Sequence, residues 1–355
     1  MTQAAILAAS GSPGTTTGFK NKLINGNMVI DQRNTGAAIT NPANNVYTVD
    51  RWYLNTGFTG SVGQNLGGVT PPAGYVNYLG ASSSTTNSAT NYFFRQAIEG
   101  YNTADLNWGG SNAKTITLSF WVRCSLTGTF GGSIQNNAQD RSYVFSYTIS
   151  AANTWQQVSI TVPGDATGTW LTNNSTGLLV WISYGAFSGA QGSAGWQAGD
   201  VRSITGQTNV MGTNGATFYL TGVQLEVGTT ATNFDFRSIG TEALLCQRYF
   251  YQINAVASDG TMGVGVLSGG GAANRIYCGR HPVSMRTTPS LGYNLASSVI
   301  YDGSSTYSFS GLTVDACTSY TACLGASGVS GGVTGRPGIF LLGGSTAYIN
   351  FNAEL

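Results

Sequence analysis

The stretch "KTITLSFWVRC", residues 114–124, sets Ile116, Leu118, Phe120 and Val122 at every second position with largely polar partners between them. A period of two places one side of the segment in a core and the other toward solvent, which describes a half-buried β-strand. Outward from it, "RSYVFSYTIS" (141–150) and "NTWQQVSITVPG" (153–164) repeat the pattern, with turn residues between. "GLLVWISYG" (177–185) is a continuous apolar run and reads as a strand covered on both faces. "ATFYLTGVQLEVG" (216–228) alternates Phe218, Leu220, Val223, Leu225 and Val227, with Gly222 at the position of a bulge. Short strands with turn signals every ~8–12 residues or somewhat more indicate an all-β sandwich or jelly roll.

One segment departs from this pattern. In "SIGTEALLCQRYFYQ" (238–252), Thr241 is placed as an N-cap and Glu242 lies in the first turn, where the helix dipole favours a carboxylate. Leu244, Leu245, Arg248 and Tyr249 follow at helical spacing, so a short connector helix is expected over 238–252. Beyond it, residues 253–355 return to Gly/Ser-rich sequence with alternating strands and form a second, smaller β domain. The first domain then spans 21–237, and residues 1–20 form an arm ahead of it. No internal repeat is visible, which argues against a solenoid.

Composition narrows the functional classes. Charged residues are 8% of the 355, against about 25% in ordinary domains. Hydrophobic residues are 41%, enough for a core, and the 50 glycines stand among abundant Ser, Thr and Asn. A net charge of +1 without a basic run offers no footprint for nucleic acid. No apolar run reaches the roughly 18–20 residues of a membrane helix. "MTQAAILAAS" lacks a preceding Lys or Arg and makes a poor signal peptide. Five cysteines, Cys124, Cys246, Cys278, Cys317 and Cys323, show neither a disulfide framework nor zinc spacing, so mostly free buried thiols are expected, with no Cys317–Cys323 bond.

Candidate chemistry is sparse. The single histidine, His281 in "GRHPVSMRTTP", has no Gly-x-Ser-x-Gly partner and reads as a residue at a strand start before Pro282. Acids recur beside arginines: Asp31/Arg33, Asp50/Arg51, Asp140/Arg141, Asp200/Arg202 and Asp235/Arg237. In a chain with so few charges these clusters read as structural ion pairs that pin loops, because a buried charge is tolerated when paired. A glycosidase would need two facing carboxylates, which sequence spacing cannot display across a sheet. The Gly-rich stretches at 265–274 and 325–338 lack the terminal Lys-Ser/Thr of a phosphate loop. Trp121, Trp155 and Trp181 fall within strands and read as core. Trp108, Tyr184, Phe187 and Trp196 lie in or beside turn-rich sequence and are the candidates for stacking on a sugar ring, against the plainer reading that they cap the ends of a sandwich.

"LINGNMVIDQR" and "YTVDRW", followed by "FRQAIEG" (94–100), "LSFWVR" (118–123), "NTWQQVSITVPGDATGTW" (153–170) and "LTGVQLEVGTTATNFDFRSIGTEALLCQRYF" (220–250), resemble a family of tailed-bacteriophage virion and tail-fibre proteins. "HPVSMRTTPS" (281–290) and the final "AEL" extend the resemblance over roughly residues 20–355. It implies a jelly roll similar to carbohydrate-binding modules, a smaller β domain, and a homotrimeric fibre or fibre tip in the virion. On this view residues 1–20 attach to other virion proteins and the distal loops meet a host surface polysaccharide. An architectural head-fibre or decoration protein is the alternative, and a polysaccharide depolymerase stands behind both. Calcium-bearing jelly rolls of this kind carry an acid after the first Asn-Gly, where this chain has Asn27. No cofactor is therefore expected, structural calcium being possible but not favoured. The same reading ties Asp31, Arg33, Asp50 and Arg51 to the closing strand around Glu226 and Arg237.

Overall fold

The computed structural model describes residues 19–88, 91–186, 188–255, 260–266, 274–329, 331 and 335–355. The attachment arm expected over 1–20 falls almost wholly outside them, as does Phe187. The fold is all-β: a two-sheet sandwich of jelly-roll type, one short helix, and a second β region.

The strand Ile116–Cys124 lies inside a six-stranded antiparallel sheet, between Thr217–Val227 and Gln156–Val162. Its apolar partners match across the ladder, Phe120 with Val158, Leu118 with Ile160 and Leu225, Val122 with Leu220. The period-two pattern is thereby turned toward one core. Register slips between Thr221 and Gln224, where Gly222 takes φ +61°, so the expected bulge is present. Glycine is required there, since a Cβ would fall 2.6 Å from the Tyr75 hydroxyl.

Facing this sheet is one of seven strands, in the order Gly195–Ala198, Arg141–Ile149, Gly128–Gln135, Thr176–Gly185, Tyr92–Glu99, Tyr53–Leu54, Val46–Tyr47. Between the two sheets Phe94, Phe120, Phe130, Tyr147, Tyr184 and Phe218 are buried and in ring contact. Each such side chain contributes about 1.5–3 kcal/mol by leaving water. The central strand Thr176–Gly185 is buried at all ten positions, as its unbroken apolar run foretold.

The helix is shorter than expected, Ile239–Gln247, and Ser238 caps it in place of Thr241, its Oγ accepting from Thr241 N. Residues 250–254 instead form a strand paired with Tyr348–Asn352. A second core gathers Met285, Leu324, Phe340, Ile349 and Phe351. His281 follows the end of the strand Asn274–Arg280, a position opposite to the strand start expected, and packs edge-on against Phe351. Cys124, Cys246 and Cys317 are free, whereas Cys323 is disulfide-bonded, and the ladder sets Cys278 directly across from it.

The two β regions are tied by charge. Arg248 reaches Glu99 at 2.5 and 2.9 Å, and the Tyr249 hydroxyl donates to the same carboxylate at 2.8 Å. Arg33 bridges Asp50 (3.0 Å) and Glu354 (3.1 Å), and Arg51 also binds Glu354. The sequence pairs are therefore mostly redrawn. Asp200 with Arg202 forms as expected, but Arg51 does not pair with Asp50, Arg141 takes Asp165, and Arg237 takes Glu242. Asp31 and Glu226 make no ion pair among the described residues. Asp31 turns back to accept from the backbone of Asn34 and Gly36, and Glu226 accepts from Thr232 and Gln224.

Candidate functional site

Directly opposed residues of an antiparallel sheet share a face, and neighbouring strands stand about 4.8 Å apart. The ladder of the seven-stranded sheet aligns Tyr53, Arg95, Trp181, Ser133 and Val144 in one row. The next row holds Ala97, Leu179, Gln135 and Ser142, and the row on the other side Phe93, Ser183 and Gly131. These residues alternate with the core-facing ones, so they form the outer face of the sheet.

This outer face is aromatic and cationic. The Arg95 guanidinium lies 4.1 Å from the Tyr53 ring and 5.1 Å from the Trp181 ring, and Phe93 meets Trp181 edge-on at 5.5 Å. A segment from Ser188 to Gln207 crosses the face and adds Arg202, 4.7 Å from the Trp181 ring. Asp200 holds Arg202 at 2.9 and 2.6 Å. Gln135 Nε2 fastens the segment by donating to Asp200 Oδ1 (3.0 Å) and the Val201 carbonyl (3.1 Å), and the Gln207 side-chain amide is hydrogen-bonded to Ser183 Oγ (2.7 Å). Gly131 permits the approach, since a Cβ there would sit 2.8 Å from Ser203 Oγ. Trp181 is left 1% exposed, while Arg95 and Tyr53 are half-buried and form the open end of the row.

Several polar atoms of this face lack a partner: Arg95 Nε, Trp181 Nε1, Ser133 Oγ and Gln135 Oε1. A buried group left unpaired costs about 1–3 kcal/mol, so their gathering on one face is a concentrated penalty. Among the described residues no carboxylate pairs with Arg95, although seven other arginines have one. Burial lowers the Arg95 pKa, opposed by Tyr47 and Tyr53. A guanidinium nonetheless stays charged in a protein. Of this row, Arg95 and Tyr53 are the side chains within reach of a ligand, a guanidinium beside a ring, while Phe93, Leu179 and Trp181 form a buried cluster beyond them.

The residues singled out in the sequence lie elsewhere. Tyr184 is 0% exposed and faces the core, stacked on Phe218 at 5.3 Å, because it sits one position out of phase with the outer-face residue Ser183. Trp108 is 9% exposed and packs against Trp170 (4.6 Å) and Trp196 (5.5 Å), its indole N–H given to the Lys114 carbonyl. Trp196 lies on the edge strand Gly195–Ala198 and donates to the Pro163 carbonyl. Trp108 and Trp196 thus knit the sandwich end, and Tyr184 fills its interior, so the expectation of exposed loop rings is corrected for Trp108 and Tyr184. Trp181 and Arg95 were passed over; the apolar run around Trp181, read as covered on both faces, was the available signal. Elsewhere, an open cleft of about 360 Å³ is lined by Phe19, Tyr101, Lys22, Asp105 and Arg237, but its Lys22–Asp105 pair (2.7 Å) already satisfies both charges. Among the described residues no group of three His, Cys, Asp or Glu side chains is placed to hold a metal ion.

No family model and no curated protein sequence matches the chain. Similar solved structures include the enzymatically active domain of tailspike protein 4 of bacteriophage CBA120, at 12% identity and TM-score 0.31 over 59% of this chain and 21% of that one. A family 11 carbohydrate-binding module from Clostridium thermocellum, in complex with a mixed-linked tetrasaccharide, is 13% identical with TM-score 0.26 over 53% of this chain and 95% of that one. TmCBM61 in complex with β-1,4-galactotriose is 9% identical with TM-score 0.30 over 59% of this chain and 99% of that one. This chain therefore spans about a fifth of the tailspike domain.

Proposed function

We propose that this chain is a structural, glycan-binding component of a phage virion, a tail fibre or fibre tip that engages host surface polysaccharide through the outer face of its seven-stranded sheet. The observation that carries the reading is the row of Tyr53, Arg95, Trp181 and Ser133, where rings stand beside unpaired donors. A sugar ring supplies both an apolar face for stacking and hydroxyls for those donors. The motif resemblance and the low-charge, Gly-rich composition favour a virion appendage. The homotrimer rests on the motif resemblance; the helix turns Ile239 (62% exposed) and Leu244 (49%) outward while Glu242 and Cys246 face inward. We infer no hydrolytic role: Asp50, Asp165, Asp200, Glu99, Glu242 and Glu354 are each engaged by arginine. The architectural alternative, a head-fibre or decoration protein without a receptor role, is favoured by the near-complete cover over Trp181.

The test is saturable binding of the full chain to immobilised bacterial surface polysaccharides, with Tyr53→Ala as comparison and reducing ends assayed for cleavage. Binding that Tyr53→Ala abolishes, without release of reducing ends, is the expected result. Absence of saturable binding across the panel would leave the architectural reading, and particle mapping by cryo-electron microscopy would then place the copies.

A further inference from the structure

The unpaired atoms of the outer face are unequal in kind. Arg95 Nε–H and Trp181 Nε1–H can only donate, Ser133 Oγ–H donates readily, and Gln135 Oε1 alone is a pure acceptor. The register sets the three donor-bearing residues side by side on adjacent strands, Arg95 opposite Trp181 and Trp181 opposite Ser133. The excess of donors is joined to an excess of charge, for Arg95 has no carboxylate among the described residues and Arg202 brings a second guanidinium to the same indole. Asp200 neutralises Arg202 through two hydrogen bonds, which leaves one uncompensated positive charge at the Arg95 end. A neutral glycan would offer hydroxyls to this row but would leave that charge unmatched. An anionic one matches it, because a carboxylate at the open end of the row accepts from the Arg95 guanidinium and gains the added strength of charge-assisted hydrogen bonds.

We propose that the ligand of this face is an acidic saccharide, a uronic-acid-containing polysaccharide whose carboxylate seats against Arg95 with its sugar ring on Tyr53. This rests on the glycan-binding reading above. The ligand meets the row at its half-buried Arg95–Tyr53 end, since Trp181 (1% exposed) and Ser133 (0%) are closed off beyond it. Arg95 is then a specificity residue that separates acidic from neutral chains.

The experiment is calorimetric titration of the full chain with oligogalacturonate and with its carboxyl-reduced neutral counterpart, at low and high sodium chloride. The expected result is at least tenfold tighter binding of the acidic oligosaccharide, with the difference shrinking as salt screens the charge. Arg95→Gln removes that preference, and Arg95→Lys, which keeps the charge but loses the planar fork, restores part of it. Should Arg95→Gln fail to fold, the salt titration of the native chain and a several-fold loss in Tyr53→Ala carry the test. Equal affinity for the two oligosaccharides would overturn the inference while leaving glycan binding intact. Binding of neither would overturn this inference, and the glycan reading falls with it when the polysaccharide panel is empty as well.

Discussion

Replacing Glu354 by glutamine tests what fastens the two β regions together. The Glu354 side chain is 5% exposed, and Arg51, which it binds, is 1% exposed. The substitution keeps the shape and removes the charge. Arg33 retains Asp50 at 3.0 Å, but Arg51 is left with the Ala97 carbonyl at 2.6 Å and the Tyr249 ring at 3.6 Å. Breaking one side of a buried pair costs about 3–5 kcal/mol; the contacts Arg51 retains place Glu354→Gln near the lower end, about 3 kcal/mol. Asp105→Asn removes the partner of Lys22 at a carboxylate that is 51% exposed, and the expected loss there is below about 1 kcal/mol. The paired replacement Arg51→Met with Glu354→Leu, which removes both charges, is expected to cost far less than Glu354→Gln alone. Urea denaturation followed by tryptophan fluorescence and far-ultraviolet circular dichroism gives the comparison, with coincident transitions required because the chain has two cores. A loss for Glu354→Gln no larger than for Asp105→Asn would refute the claim that this buried pairing holds the regions together.

Burial pushes the Asp50 carboxyl up to about 6 against the pull of Arg33, so its folded pKa lies above its unfolded value. Its contribution to stability is fully present below about 3.9 and is lost as pH rises through about 6; Asp50→Asn should flatten that part of a plot of unfolding free energy against pH. The Tyr184 hydroxyl is buried without a partner, so Tyr184→Phe should be neutral or stabilising by about 1 kcal/mol in the same denaturation assay. Gly132→Ala would set a Cβ 2.1 Å from the Trp181 carbonyl oxygen and 2.5 Å from the Phe145 ring. Overpacking of this kind costs about 1–3 kcal/mol and occasionally more, and a depressed melting temperature with low soluble yield is the expected outcome.

Much of the sandwich was legible because strand periodicity is a local property. The alternation of Ile116, Leu118, Phe120 and Val122 identified an inner face without knowledge of its partners, and the unbroken run around Trp181 correctly announced cover on both sides. Features that depend on register were hidden. Arg95, Trp181 and Ser133 come from three separate strands, and only the ladder brings them together. The ion pairs failed for a related reason. Side chains of adjacent residues diverge, so Asp50 and Arg51 find separate partners, Arg33 and Glu354, well removed along the chain. Tyr184 shows how fine the margin is, since one step along the strand separates an outer-face position from the core.

Asn21 and Leu225 meet through a hydrogen bond across 204 residues of sequence. This has a consequence in time. At about 5–20 residues per second, a ribosome needs roughly 10–40 s between making the first and making the second. During that interval the opening segment waits without the strand that will receive it, and topologies dominated by such distant pairings fold slowly even once complete. Neither Asn21 nor Lys22 can be secured to Leu225 until the late strand Thr217–Val227 arrives. The nascent chain therefore carries an unfinished sheet through most of its synthesis, and sparse charge offers that intermediate little electrostatic protection against its neighbours on a polysome.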